Sequence, residues 1–221
     1  MELKTFQKAG LAVIGIAAIA SSFILSFNVS HKEPIELAAP APIKKKIDYF
    51  PEAYAVVLKH EGGYTNDPVD RGGATSFGIS LAFLKSGNID IDGDGDVDID
   101  DIKAIRNNHA ENIYRTFFWD KNRYNEIENK TVAIKLFDTA VNVGASRCHK
   151  ILRDTLNAII VGKLEVNGKM DDEVMDIINI IEPKMLLEEF RIQQANFYQS
   201  LVTKTPKYKK FIAGWLNRAK S

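Results

Sequence analysis

A mainly α-helical fold is the first expectation for this chain of 221 residues. From residue 130 onward the segments KTVAIKLFDTAVNVG, RCHKILRDTLNAI, DDEVMDIINII and PKMLLEEFRIQQANFYQSLV each carry an apolar stripe at helical spacing. Upstream, YFPEAYAVVLKH sets Phe50, Ala53, Tyr54, Val57 and Leu58 on one helix face. Between these regions, TNDPVDRGGATS is dense in turn residues and predicts a tight loop or a short irregular hairpin. A hydrophobic share of 45% excludes a mainly disordered chain, and a lone cysteine, Cys148, excludes an intrachain disulfide.

At the N-terminus, residues 10–27 read GLAVIGIAAIASSFILSF, uncharged and about as long as a helix needs to cross a bilayer core. Phe27, Asn28, Val29 and Ser30 follow in place of a small-x-small cleavage site, so residues 1–30 are expected to be an uncleaved anchor. Half of the span is Gly, Ala or Ser, which makes its stay in lipid marginal and resembles the signal-anchor-release segments of some phage endolysins. Residues 31–48, rich in Ala, Pro and Lys, read as a linker.

The formal charge of zero is unevenly distributed. Seven aspartates lie between residues 90 and 101, and the rest of the chain carries 29 basic against 22 acidic residues, a balance of +7. A mildly basic body suits an anionic polymer or a membrane surface, though scattered solvated cations explain it as simply. No nucleic-acid partner is expected. The aspartate run, DIDGDGDVDIDD, fits the twelve-position calcium loop of an EF-hand: Asp90, Asp92 and Asp94 at positions 1, 3 and 5, Gly95 at the glycine, Val97 at the apolar place and Asp98 at the ninth. Asp96 would offer its carbonyl, and Asp101 stands at position 12 where Glu is usual. A structural calcium ion is therefore expected, flanked by helices in ISLAFLKSG and DDIKAIRNNH.

The stretch KHEGGYTNDPVDRGGATSFGIS places Glu61 at a helix end, where Gly62 and Gly63 stop the helix and the turn-rich chain returns Asp70 and Thr75 towards it. A glutamate partly shielded by Tyr64 and Phe77 suits a general acid on a glycosidic oxygen. Asp70, or second to it Asp67, would be the partner carboxylate, and Thr75 would hold the attacking water. EGGYTNDPVDRGGATSFGIS resembles the signature of glycoside hydrolase family 108, the muramidases of bacteria and phages. The similarity continues through NIYRTFFW, and LFDTAVNVGASRCHKILRDTLNAI is similar to the small helical peptidoglycan domain that accompanies the catalytic region in that family.

That resemblance implies a lysozyme-like helical catalytic domain over residues 49–130, carrying the hairpin and the EF-hand-like loop, then a helical peptidoglycan-binding domain over 131–205. It implies Glu61, Asp70 and Thr75 as catalytic residues, with no cofactor for catalysis. Tyr64 is a candidate substrate contact; Asp138 and Asn142, four apart on one helix face, would either line the cleft floor or cap a neighbouring helix. Tyr114, Phe117, Phe118 and Trp119 read as core or as a sugar-stacking set. Residues 206–221 form a basic amphipathic helix that docks on the domain or touches membrane or wall.

The functional expectation is a monomeric N-acetylmuramidase of the lysozyme type, an endolysin acting on peptidoglycan glycan strands. It would be tethered to the bacterial inner membrane through residues 10–27, with the catalytic domain in the periplasm and release left open. The alternatives are a lytic transglycosylase and a non-catalytic, calcium-dependent wall anchor.

Overall fold

A computed structural model describes residues 47–60 and 74–221. The helix α1 (Phe50–His60) begins where the Asp48 carboxylate accepts from the Phe50 N–H at 3.1 Å. It buries Phe50, Ala53, Tyr54 and Val57, the stripe read from the sequence. After residues 61–73 come two short antiparallel strands, β1 (Thr75–Ser76) and β2 (Ile79–Ser80), in the register Thr75 with Ser80 and Ser76 with Ile79. The hairpin expected in the turn-rich stretch is thus present, placed at its end.

Ser80 then caps α2 (Leu81–Gly87) by accepting from the Phe83 N–H at 3.2 Å, and Asn88 ends that helix in a left-handed conformation. The acidic loop leads to α3 (Ile99–Ala104) and α4 (Asn107–Ile113), which runs directly into a π-helical turn over Tyr114–Asp120. A short 3-10 turn, Tyr124–Glu126, precedes α5 (Lys130–Val143), capped by Asn129.

The centre of the fold is α5. Its residues Val132, Ala133, Leu136, Phe137 and Ala140 are buried, and Phe137 meets Trp119 edge-on at 5.3 Å between ring centroids, with Phe50 at 6.0 Å and Tyr124 at 6.2 Å. Such aromatic pairs contribute about 0.5–1.5 kcal/mol each beyond area burial. Since Phe50 and Trp119 precede residue 130, the core runs without a break across the boundary expected at 130/131, and residues 45–221 form one compact unit.

The remaining helices are α6 (Ala145–Ile159), α7 (Asp172–Ile180) and α8 (Pro183–Lys204), then a 3-10 turn over Pro206–Phe211 and α9 (Ile212–Lys220). Arg153 of α6, almost fully buried, gathers the connection to α7. It donates to the carbonyls of Lys169 at 3.0 Å and Glu165 at 2.9 Å and pairs with the Asp171 carboxylate. Cys148 and His149, adjacent in sequence, are both buried and face different partners: the thiol donates to the Leu136 carbonyl, while His149 bonds Tyr124 and the Gly168 carbonyl.

The C-terminal helix docks on the body, as one of the two sequence readings has it. Trp215 stacks on Tyr198 at 5.4 Å, and buried Lys135 donates to the carbonyls of Arg218 and Ala219 at 2.8 and 3.0 Å, closing the end of α9. Burial, opposed by Asp138 and reinforced by Arg191 and Arg218, holds the Lys135 amine down at about 8. Below pH 8 both folded and unfolded chains carry this proton; between about pH 8 and 10.5 only the unfolded chain does. Stability from Lys135 therefore rises with pH across that window. Burial pushes the hydroxyls of Tyr54, Tyr124 and Tyr198 above their ordinary value of 10, which acts with the opposite sign at higher pH. The difference in melting temperature between wild type and Lys135→Met, followed from pH 7 to 10, should isolate the lysine; a constant difference would refute its titration.

Candidate functional site

A groove of about 450 Å³ opens beside the hairpin. Its walls are Gly78, Ile79 and Ser80 of the hairpin, Phe83 of α2, and Tyr114, Phe117, Phe118, Lys121 and Asn122 of the π-helical turn and its exit. Val141, Gly144 and Ala145, at the junction of α5 and α6, complete it. Apolar rings with a few polar groups among them suit a sugar, whose faces carry C–H bonds and whose rim carries hydroxyls.

Two local features shape this groove. The hairpin turns on Phe77 and Gly78, with φ of 50° and 74°, as a two-residue turn of the primed kind requires. A phenylalanine in that conformation is strained. The Tyr114 hydroxyl donates to the Phe77 carbonyl at 2.9 Å and holds the turn against the body. Tyr114→Phe should cost about 1 kcal/mol of stability and raise KM more than it lowers kcat, a split that steady-state kinetics would read directly. The second feature is the π-helical turn itself, a widening of the helix often found at functional sites. It buries Tyr114 and Trp119 in the core and leaves Phe117 and Phe118 half-exposed along the groove, edge-on or tilted against Phe83 at 5.7 and 5.5 Å. The aromatic set thus divides between core and groove.

Of the expected site residues, Glu61, Tyr64 and Asp70 lie outside the described residues, as does Asp67. Thr75 opens β1, half-buried and paired in register with the groove residue Ser80. Asp138 does not line the groove. It is 3% exposed, and both its oxygens accept from Arg218, at 2.8 and 3.1 Å. Asn142 accepts from the Tyr198 hydroxyl at 2.6 Å and lines a separate cavity of about 410 Å³ with Trp215, Asn217 and Arg218. Asp138 thus serves the C-terminal helix, while Asn142 bonds α8. Phe83, Lys121 and Asn122 went unnoticed in the sequence; the amphipathic ISLAFLKSG and the polar pair after FFW were the signals available.

In the acidic loop, Gly95 has φ of 101°, a conformation that suits glycine at the sixth position of a calcium loop. Asp90 accepts from the N–H groups of Gly93 and Gly95 at 2.6 and 3.0 Å, closing the loop on itself. The carboxylates gather in two triplets, Asp90, Asp92 and Asp94, then Asp96, Asp98 and Asp101. Asp101, at position 12, sits in the second triplet and also bonds the loop itself. Asp101 is 1% exposed and forms a capping box with Asp98 at the start of α3, its oxygens accepting from Ile91 at 2.6 Å, Asp98 at 2.7 Å and Asp92 at 3.4 Å. Burial works to raise its pKa, but these N–H bonds prevail and lower it. Asp94 and Asp98 hold the Asp96 carboxyl above the usual range, the repulsion a cation would relieve. All the donors are oxygens, and the set fits a hard divalent ion.

Residues 54–144 match the family described as Glycosyl hydrolase 108. This region is similar to that family. The matched region runs from Tyr54 in α1 to Gly144, the residue before α6, and every groove-lining residue except Ala145 falls inside it. Through this region the chain is similar to glycoside hydrolases. Among solved structures, the fold is similar to that of Brucella abortus SagA, with a TM-score of 0.60 and 23% identity over 77% of this chain and 92% of that one. A search of curated proteins finds no match. The solved neighbour shows the mainly helical fold.

Proposed function

We propose that the chain is an N-acetylmuramidase: a peptidoglycan hydrolase that cleaves the β-1,4 bond between N-acetylmuramic acid and N-acetylglucosamine. The observation that carries this reading is the aromatic groove beside the hairpin, inside the glycosyl hydrolase 108 region and next in sequence to the Glu61–Thr75 stretch. In this reading Phe83, Phe117 and Phe118 receive sugar faces, while Ser80, Lys121 and Asn122 bond their hydroxyls and acetamides. Glu61 protonates the leaving glycosidic oxygen, and Asp70 acts as base or nucleophile with Thr75 positioning water. Mass spectrometry of digested walls tests it. Reducing ends on muramic acid are expected; anhydro ends would make the enzyme a lytic transglycosylase, and reducing ends on glucosamine would refute the bond assignment.

Calcium belongs to the same proposal as a structural ion. Asp90, Asp92 and Asp94 with the carbonyl of Asp96 would hold it, Asp98 acting through water, and it would supply charge neutralisation that fixes the loop between α2 and α3. Chelation should lower the melting temperature by about 5–10 °C when the ion was present near a hundred times its Kd, and Asp90→Ala should abolish that response. An unchanged melting curve on chelation would refute the site.

The proposal further has residues 10–27 tether a monomeric enzyme to the bacterial inner membrane, facing the periplasm, for host-cell lysis. Those residues lie outside the described ones; among the described residues no helix is long and apolar enough to cross a membrane. Fractionation of cells expressing the full chain and a variant lacking residues 1–30 would test the tether, with equal soluble fractions counting against it.

A further inference from the structure

A second cavity, of about 340 Å³, adjoins the groove: the two share Gly144 and Ala145. Its chemistry is different. Ser146, Arg147 and Lys150 line it, with no aromatic ring among the lining residues. Arg147 and Lys150 are exposed, and among the described residues neither is engaged in an ion pair. Arg147 is nevertheless held in place, its guanidinium 5.6 Å from the Phe197 ring centroid. A cation–π contact of this kind orients the charge without neutralising it. The cavity also lies at the start of α6, a helix of 15 residues whose N-terminus carries no side-chain cap, so the partial positive charge there adds to the two side chains.

A glycan strand bound in the aromatic groove would carry its substituents past Gly144. At that residue, which lines both cavities, φ is 87° and nothing lies within 4 Å of where a side chain would project. We propose that Arg147 and Lys150 form an anion subsite for the carboxylates of the peptides borne by alternate sugars. The enzyme then reads a peptide-bearing strand, with sugar rings on Phe83, Phe117 and Phe118 and peptide carboxylates on the cationic pair. This assignment rests on the muramidase reading of the groove and adds to it a preference among glycans. The geometry favours a carboxylate attached to the strand over a phosphate of a separate wall polymer, because the cationic cavity adjoins the sugar groove at Gly144 and Ala145.

The test compares wild type with Arg147→Gln/Lys150→Gln on purified peptidoglycan free of phosphate polymers, and on the same glycan stripped of its peptides by an amidase. The ratio of kcat/KM for peptide-bearing over stripped glycan should fall about tenfold in the variant, through KM, as loss of charged hydrogen bonds predicts. An unchanged ratio overturns the subsite, and so does an equal loss on both substrates. Binding separates this outcome from failure of the muramidase reading. Soluble peptide-bearing glycan fragments should bind Glu61→Gln about tenfold more tightly than the triple variant that also carries Arg147→Gln and Lys150→Gln. Equal dissociation constants overturn the subsite even if the wild type cleaves neither substrate, a result that would overturn the proposed function alone.

Discussion

Glu61→Gln should lower kcat on peptidoglycan by about 10²- to 10⁴-fold with KM little changed. Glutamine keeps the size and the hydrogen-bonding reach of glutamate but has no proton to give the departing sugar oxygen. Glu61 follows α1 in sequence, the helix whose Phe50, Ala53, Tyr54 and Val57 are buried in the core. The substitution should leave the melting temperature within a degree or two of wild type, which separates loss of chemistry from loss of fold. A variant that clears walls as fast as the parent would remove Glu61 from the mechanism. Asp70→Asn provides the comparison: a comparable fall marks the second carboxylate, and full activity transfers that role elsewhere.

Asp138→Ala should cost about 3–5 kcal/mol, because it leaves the mostly buried Arg218 guanidinium without its carboxylate. For a chain of this length that is a fall of about 10 °C in melting temperature. The loss is compounded by Lys135, whose charge Asp138 also favours and whose neighbours Arg191 and Arg218 oppose it. Replacing the pair together, Asp138→Leu with Arg218→Met, should restore most of the stability, since two apolar side chains need no partner in a buried site. If Asp138→Ala instead abolished activity at unchanged melting temperature, Asp138 would belong to the substrate cleft after all. Differential scanning calorimetry with wall-clearing assays on the same preparations distinguishes the two.

The helices were legible because local periodicity encodes them. The stripe Phe50, Ala53, Tyr54, Val57 is read from about two turns of helix and needs no distant partner; the four segments after residue 130 became α5 to α8 for the same reason. The acidic loop was legible in register, with Gly95 at the position whose φ of 101° excludes most side chains. What the register did not announce is that Asp101, one methylene shorter than glutamate, also bonds the loop's own N–H groups and caps α3. In the aromatic run YRTFFWD, composition gave no means of dividing core from groove, since the division depends on a π-helical turn and on where Phe50 and Phe137 arrive to enclose Trp119.

By itself the sequence determined a mainly helical hydrolase-like chain, the order of its motifs and the turn-rich stretch that holds Glu61, Asp70 and Thr75. Only the tertiary structure decided which polar side chains face a ligand. Asp138 and Arg218 are 80 residues apart, and nothing local to α5 announces that α9 will return to cover it. The physical reason is that periodicity assigns a residue to a face, whereas burial and pairing depend on which distant segment packs against that face. The same packing opened the groove beneath the hairpin and set the cations of α6 at its end.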